Sequence, residues 1–582
     1  MTIGDQRGGN SFNRRALLGA GGAIGLSVFA LGNGGSAFAV DRALKLNAQR
    51  AVSVSGTTLE QSAQAAKARY SRLVAGPGYA LVVREDLVAA SSGRDERRSA
   101  LAAFVQFTDL HVVDAQSPMR VEYLDGLASS AFRPQEALSV HGASSLVQRV
   151  NALKAAPFTG RSLDCVVTTG DNTDNHENIE LDWFLTVMSG GEFSANTGDP
   201  QMWQGVQSGA DKNYYNPELP VQDQYKQAGF PQIPGYFSRI MATAESAGLD
   251  IPWYSVFGNH DDSIQGTLPS DWSLLAANYT GENKFSGFAD PTVEKAFRAA
   301  IAQGQSLRTG EFTVAPFEKV VADQRRAPFT PVEYMKKHLD PKVAGAGPVG
   351  HGFNQESVDT GRGYYSFEIS TQVVGISLDS TNRAGYTEGS LGQAQFQWLE
   401  ETLKSGSSSY YDGWGFKVKR PTADKLFVVF SHHTIDSMNN LIPDPARLLE
   451  LRRSGKDVRD LLKRFPNVLA WVNGHTHKNE VTAQPGPTPE RGFWQINTAS
   501  HIDFPQQARI IEVADNQDGT LSLFGTLIES AAPYQGSYSS GALDDLAALY
   551  RELAYNDIQA SDASLGQPKD LNVELLLANP LR

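Results

Sequence analysis

The chain has 582 residues, 41% of them hydrophobic, with 54 glycines and 28 prolines, a composition that is globular and excludes a disordered or fibrous chain. Lys+Arg 51 against Asp+Glu 64 leaves a formal net charge of −13, which argues against a nucleic-acid polymer as partner, because phosphate backbones are bound by Lys and Arg surfaces. The single cysteine, Cys165, excludes an intramolecular disulfide and a multi-thiolate zinc site.

The first forty residues read as an address. Arg14-Arg15 stands directly before the apolar run Ala16 to Leu31, and Ala37-Phe38-Ala39 follows as a small-x-small cleavage step. The arginine pair and the glycine-rich, weakly hydrophobic core resemble a twin-arginine signal. Residues 1–39 are therefore expected to direct export to the periplasm, cell wall or outside through the twin-arginine machinery. No later stretch is long enough and free enough of charge to span a membrane. Residues 40–100 read as an N-terminal extension.

Five short apolar runs then end abruptly in polar residues. Ala102 to Phe107 leads into Asp109-Leu110-His111, and Leu163 to Val167 into Gly170-Asp171-Asn172. Trp253 to Phe257 leads into Gly258-Asn259-His260-Asp261. Leu426 to Phe430 leads into His432-His433, and Val468 to Val472 into Gly474-His475-Thr476-His477. Each run predicts a buried strand, and strand C-terminal ends are where α/β folds bind ligands. Helical spacing covers Gln135–Ala155, Gln393–Leu403 and Val458–Arg464. Thr330-Pro331-Val332-Glu333 predicts a helix start with a capping box and Pro at N1. Gly492–Ser500, Ala508–Val513 and Leu521–Ile528 predict further strands.

These readings make residues 101–530 one catalytic-size unit. An insertion of about 262–361 interrupts it, read equally as a cap over the strand ends or as a plain surface insertion. Residues 531–582 read as a helical tail on the spacing of Leu543, Leu546, Leu549 and Leu553.

Singly, each polar motif is weak; their joint order, each behind a strand, is not. Six of the 11 histidines stand in these motifs. Side chains two apart in an extended segment share a face, so His475 with His477, and Asp109 with His111, can point into one site. Gly474 would let backbone approach that site closely. Imidazoles mixed with carboxylates suit Fe, Mn, Zn or Co. Two such ions ~3.5–4 Å apart, sharing one carboxylate, clamp a phosphate ester and generate hydroxide at neutral pH.

The five motifs resemble the calcineurin-like metallophosphoesterase superfamily. That resemblance implies an α/β fold, a four-layer α/β/β/α sandwich here carrying an inserted cap region. It implies that Asp109, His111, Asp171 and His477 hold the first of two metal ions. Asp171 bridges to the second, which Asn259, His432 and His475 complete; His432 is chosen over His433 because the ligand usually opens a His-His step. His260 is expected to protonate the leaving oxygen, with Asp261 orienting it. The activity implied is hydrolysis of a small phosphate ester by a metal-bridging hydroxide, with a phosphodiesterase preferred. The alternative is a phosphomonoesterase of the acid or alkaline phosphatase or nucleotidase type. Asp174 stands where purple acid phosphatases continue toward a tyrosine ligand, so no visible charge-transfer band is expected.

Outside the motifs, Cys165 reads as a core residue. His176 and Asn175 read either as phosphate contacts or as plain loop. His351 is weighed as a further site residue and His501 as a support behind the ligands, whereas His141 and His338 are expected on the surface.

Overall fold

The computed structural model describes residues 51–66, 69–126, 128–267, 278–288, 290–302 and 317–581; the expected signal, 1–39, lies outside the described residues. In chain order, β1 (Leu81–Arg84), β2 (Ser99–Phe107), β3 (Cys165–Thr169) and β4 (Trp253–Val256) come first. β5 (Tyr365–Glu368), β6 (Val373–Ser377), β7 (Leu426–Phe430), β8 (Val468–Asn473), β9 (Glu480–Gln484) and β10 (Phe493–Asn497) follow. β11 (Gln507–Asp515), β12 (Thr520–Glu529) and β13 (Asn572–Ala578) close the series.

The strands make an α/β fold with two mixed sheets. A seven-stranded sheet runs β1-β13-β12-β11-β2-β3-β4, and a six-stranded sheet runs β5-β6-β7-β8-β10-β9. Within the first, β2, β3 and β4 are parallel; within the second, β6, β7, β8 and β10 are parallel. Parallel strands are covered on both faces, which is why β3, β7 and β8 are buried throughout and are mostly apolar.

Alternation along β7 divides its side chains between two cores. Val428 and Phe430 join a core shared with β2, where the Phe104 and Phe430 rings meet edge-on at 5.5 Å across the sheets. Phe427 and Val429 face the other way, onto α4 (Gln393–Ser405) and α5 (Gly455–Leu462) through Leu399, Leu403, Val458 and Leu462. The first sheet packs with α1 (Ser139–Ala152), α2 (Asn178–Ser189) and α6 (Leu543–Asn556) through Leu146, Phe184 and Leu549. All five predicted ligand-bearing strands are present, and each carries its motif at the C-terminal end.

Several expectations are corrected. The C-terminal segment is α-helical over α6 with two short 3-10 turns after it, and Asn572–Ala578 is β13, inserted between β12 and β1. Its Leu575-Leu576-Leu577 run is buried on both faces, a pattern that periodicity cannot separate from helix. The segment read as an N-terminal extension supplies the edge strand β1.

Part of the predicted insertion is core. α3 (Pro331–His338) starts at the Thr330 capping box, with Glu333 N donating to Thr330 Oγ1 at 3.2 Å and Thr330 N to Glu333 Oε2 at 2.7 Å. Tyr334 on α3 is held by Asn172 at 2.9 Å and Ser255 at 2.7 Å. His351 stacks on Trp253 at 3.5 Å and pairs with His338, ring nitrogen to ring nitrogen, at 2.9 Å. His338 and His141 are thus buried rather than exposed, and His351 is engaged away from the motif residues. Among the described residues no helix is long and apolar enough to cross a membrane.

Candidate metal centre

The parallel register sets the motif loops side by side. Beyond the strands, Asp109 N still donates to Gly170 O at 3.1 Å and His111 N to Asp171 O at 2.9 Å. The second sheet does the same, Gly474 N donating to His432 O at 3.0 Å. Gln106 Nε2 ties the two sheets together, donating to Thr169 Oγ1 at 2.9 Å and Asn473 O at 2.7 Å. Five of the seven predicted ligand residues have left-handed backbone: Asp109 (φ 50°), His111 (42°), Asp171 (50°), His475 (71°) and His477 (54°). Such backbone costs on the order of 1 kcal/mol or more per residue and clusters at functional sites.

The side chains converge. Asp171 Oδ2 lies 3.0 Å from His432 Nε2 and 3.7 Å from His111 Nε2. His111 Nε2 is 3.3 Å from His477 Nε2, and His477 Nε2 is 3.3 Å from Asp109 Oδ1. His475 Nδ1 is 3.2 Å from His432 Nε2. Asp109 with His111 and His477, and Asp109 with Asp171 and His432, are groups whose donor atoms can hold a metal ion.

Tautomers follow from the partners. His432 Nδ1 donates to Thr169 O at 2.9 Å, His111 Nδ1 to Asp174 Oδ1 at 2.9 Å, and His477 Nδ1 to Asp503 Oδ2 at 2.7 Å. Each leaves Nε2 with its lone pair toward the cluster. Asn259 Nδ2 donates to Gly266 O at 2.9 Å, so its Oδ1 faces the other way, buried and without a partner. An orphaned buried carbonyl oxygen beside imidazoles and carboxylates fits a cation.

His432, His433 and His475 form a further group whose nitrogens lie close enough to hold an ion. His433 Nδ1 is bonded to Ser380 Oγ at 2.8 Å and its Nε2 to Thr387 O at 2.8 Å, so both nitrogens are spent. His432, by contrast, has its Nε2 turned to Asp171 Oδ2 at 3.0 Å.

The electrostatics favour cations. Burial alone would lower His432 and His477, but Asp171 outweighs it and raises His432 to about 9, and Asp109 with Asp503 raises His477 to about 10. An entering metal ion would displace protons held this way. Burial pushes the Cys165 thiol far up, so it is an inert core group.

Asp261 does not orient His260. Its carboxylate instead accepts from Gly258 N at 3.0 Å, Thr173 N at 2.9 Å and Thr173 Oγ1 at 2.9 Å, stapling the turn. His260 Nδ1 rests on the Asp174 carbonyl at 2.7 Å, with the Asp174 carboxylate 3.5 Å away. Adjacency in sequence pointed to the wrong aspartate. His176 is taken up by Phe329 O and Tyr279. His501 supports the ligands through its backbone, its N donating to Asp109 O at 3.2 Å. Asp174 and Asp503, which accept from the imidazoles of His111 and His477, and Arg120 and Arg133, which bond to those carboxylates, carry no motif signal beyond Asp174 standing three residues after Asp171.

Gly474 has a physical requirement: a Cβ there would lie 1.9 Å from Thr108 Oγ1 and 2.4 Å from Asp109 Oδ2. Gly474→Ala is therefore expected to push Asp109 off its position, with about 1–3 kcal/mol of lost stability and a drop in bound metal. Denaturant unfolding and elemental analysis of one preparation check both.

No family model matches the chain, and no curated protein matches it. Among solved structures, a dimetal phosphatase from Danio rerio aligns with 74% of this chain and 100% of its own, at 11% identity and a TM-score of 0.33.

Proposed function

We propose that this protein is a dinuclear metal-dependent phosphoesterase acting on phosphodiesters. The observation that carries the reading is Asp171 Oδ2, which faces His432 Nε2 at 3.0 Å and His111 Nε2 at 3.7 Å. In this reading Asp109, His111, Asp171 and His477 hold one ion, and Asp171, Asn259, His432 and His475 hold the other. Bound there, Fe, Mn, Zn or Co would supply Lewis acidity and a deprotonated water at neutral pH.

The chain's own residues do the rest. Asp174 and Asp503 fix the imidazole tautomers. His260 lies edge-on to His111, ring centroids 4.5 Å apart, placed to serve the leaving oxygen. Three arginines near the motif loops are engaged by carboxylates: Arg120 by Asp174 and Glu136, Arg133 by Asp503, and Arg383 by Asp262 and Asp379. A monoester dianion brings one charge more than a diester, and arginines so engaged favour the diester.

The four-layer α/β/β/α arrangement is part of the proposal, supported by the Phe104–Phe430 contact between sheets and by α4 and α5 on the outer face of the second sheet. Export through the twin-arginine route is likewise proposed, on Arg14-Arg15 and Ala37-Phe38-Ala39.

Metal content and hydrolysis of bis-aryl and mono-aryl phosphates, measured on one sample of residues 40–582, test the reading. Two ions per chain with faster diester turnover is the expected result. Two ions with faster monoester turnover would move the activity to a phosphomonoesterase. No ion and no turnover after reconstitution with Mn, Fe or Zn would overturn it.

A further inference from the structure

Arg133 lies in the turn before α1 and is 2% exposed. Its Nε donates to Asp503 Oδ1 at 2.6 Å and its Nη2 to Asp503 Oδ2 at 3.4 Å. Its Nη1 donates to Ser130 O at 3.1 Å and sits 3.7 Å from Asp174 Oδ1. One guanidinium thus meets both carboxylates that receive a ligand imidazole, Asp503 from His477 and Asp174 from His111. Those imidazoles come from different sheets, His111 after β2 and His477 after β8. We propose that Arg133 is a positioning residue that holds the two imidazoles of the first metal site in mutual register across the sheets; the inference rests on the reading of the cluster as a metal centre.

A carboxylate that accepts from a ligand histidine sets its tautomer and ring angle and raises its basicity. Such a carboxylate holds its own angle only if its second oxygen is fixed. On Asp503 Arg133 supplies that bond with a planar fork, which an ammonium cannot reproduce, and it adds its charge beside Asp174 at 3.7 Å. The guanidinium is itself located by its backbone: Arg133 N donates to Glu136 Oε2 at 3.0 Å, and the same oxygen accepts from Arg120 at 2.6 Å.

The two carboxylates do not depend on Arg133 equally. Asp174 also bonds directly to Arg120, whereas the guanidinium on Asp503 is that of Arg133. Loss of Arg133 should therefore loosen His477 far more than His111. It should spare Asn259 and His432, whose settings come from Gly266 O and Thr169 O. The signature is an asymmetric one: one ion weakened, the other unchanged.

The test is calorimetric titration of Mn²⁺ alone into metal-free wild type, Arg133→Met, Arg133→Lys and Asp503→Asn, with circular dichroism confirming the fold. Arg161→Met serves as control, because Arg161 pairs with Asp164 at the partly exposed end of β3. Wild type and control should bind two ions. Arg133→Met and Asp503→Asn should each weaken one binding event by about 10–100-fold, the range for residues behind metal ligands, and leave the other alone. Arg133→Lys, able to reach one carboxylate only, should fall between, and it decides the matter if the methionine variant does not fold. Unchanged binding of both ions in the folded Arg133 variants would overturn the proposal, as would an equal loss of both ions, which marks general structural damage. Wild type that binds no ion would instead refute the metal-centre reading itself.

Discussion

Asp171→Asn is expected to remove both metal ions and to lower phosphodiester hydrolysis by at least about 10³-fold, equal to roughly 4 kcal/mol of transition-state stabilisation. The carboxylate is buried, but His432, His260 and His111 together outweigh the burial penalty and hold it well below the usual carboxylate range. Its Oδ1 accepts from His260 N at 2.9 Å, which pins the group, and its Oδ2 is the oxygen turned toward both ligand sets. The amide variant keeps that shape but has no charge to share between two cations. If its nitrogen takes the Oδ2 position, it presents N–H to His432 where a lone pair is needed. Elemental analysis before and after chelation and metal return separates the outcomes. Wild type should regain ions and turnover, and the variant should regain neither. A variant that keeps two ions would show that the bridge lies elsewhere, with Asp109 next in line, because its Oδ1 faces His477 at 3.3 Å.

Much of this centre was legible in sequence because of where the chain puts its buried parallel strands. A strand covered on both faces must be apolar at nearly every position, so β7, all five residues of it buried, stops abruptly at Ser431-His432. The change from apolar to ligating residues marks both the strand end and the site. β13 and the edge strands β1 and β5 have no such ending. β1 and β5 are also only four residues long, too short for a period to declare itself. The residues behind the ligands were hidden for a different reason. Asp503 reaches His477, and Arg133 reaches Asp503, only after both sheets are assembled, and nothing local to either residue records the contact. Asp261 shows the converse: it is next to His260 in the chain, but the tight turn after Asn259 sends its carboxylate back onto the amides of Gly258 and Thr173.

His260→Ala is expected to lower kcat by about 10²–10⁴-fold on a dialkyl phosphodiester, with both ions retained and a much smaller loss on a nitrophenyl diester. The His260 ring is held at one nitrogen. Its Nδ1 donates to the Asp174 carbonyl at 2.7 Å, which leaves Nε2 for substrate. Gly266 borders that edge with left-handed backbone, φ 63°, where a Cβ would approach Nε2 to 2.4 Å. Burial holds the imidazole down to about 4, against the pull of Asp171 and Asp174 toward the charged form. To serve a leaving oxygen the ring must carry a proton on Nε2. An alkoxide needs that proton as its bond to phosphorus breaks, whereas nitrophenolate departs without one. The ratio of the two losses therefore isolates proton donation from positioning. Equal losses on both esters would reduce His260 to a positioning group. Loss of an ion would make it a ligand instead, a role its place beside His111 and Asp171 also permits.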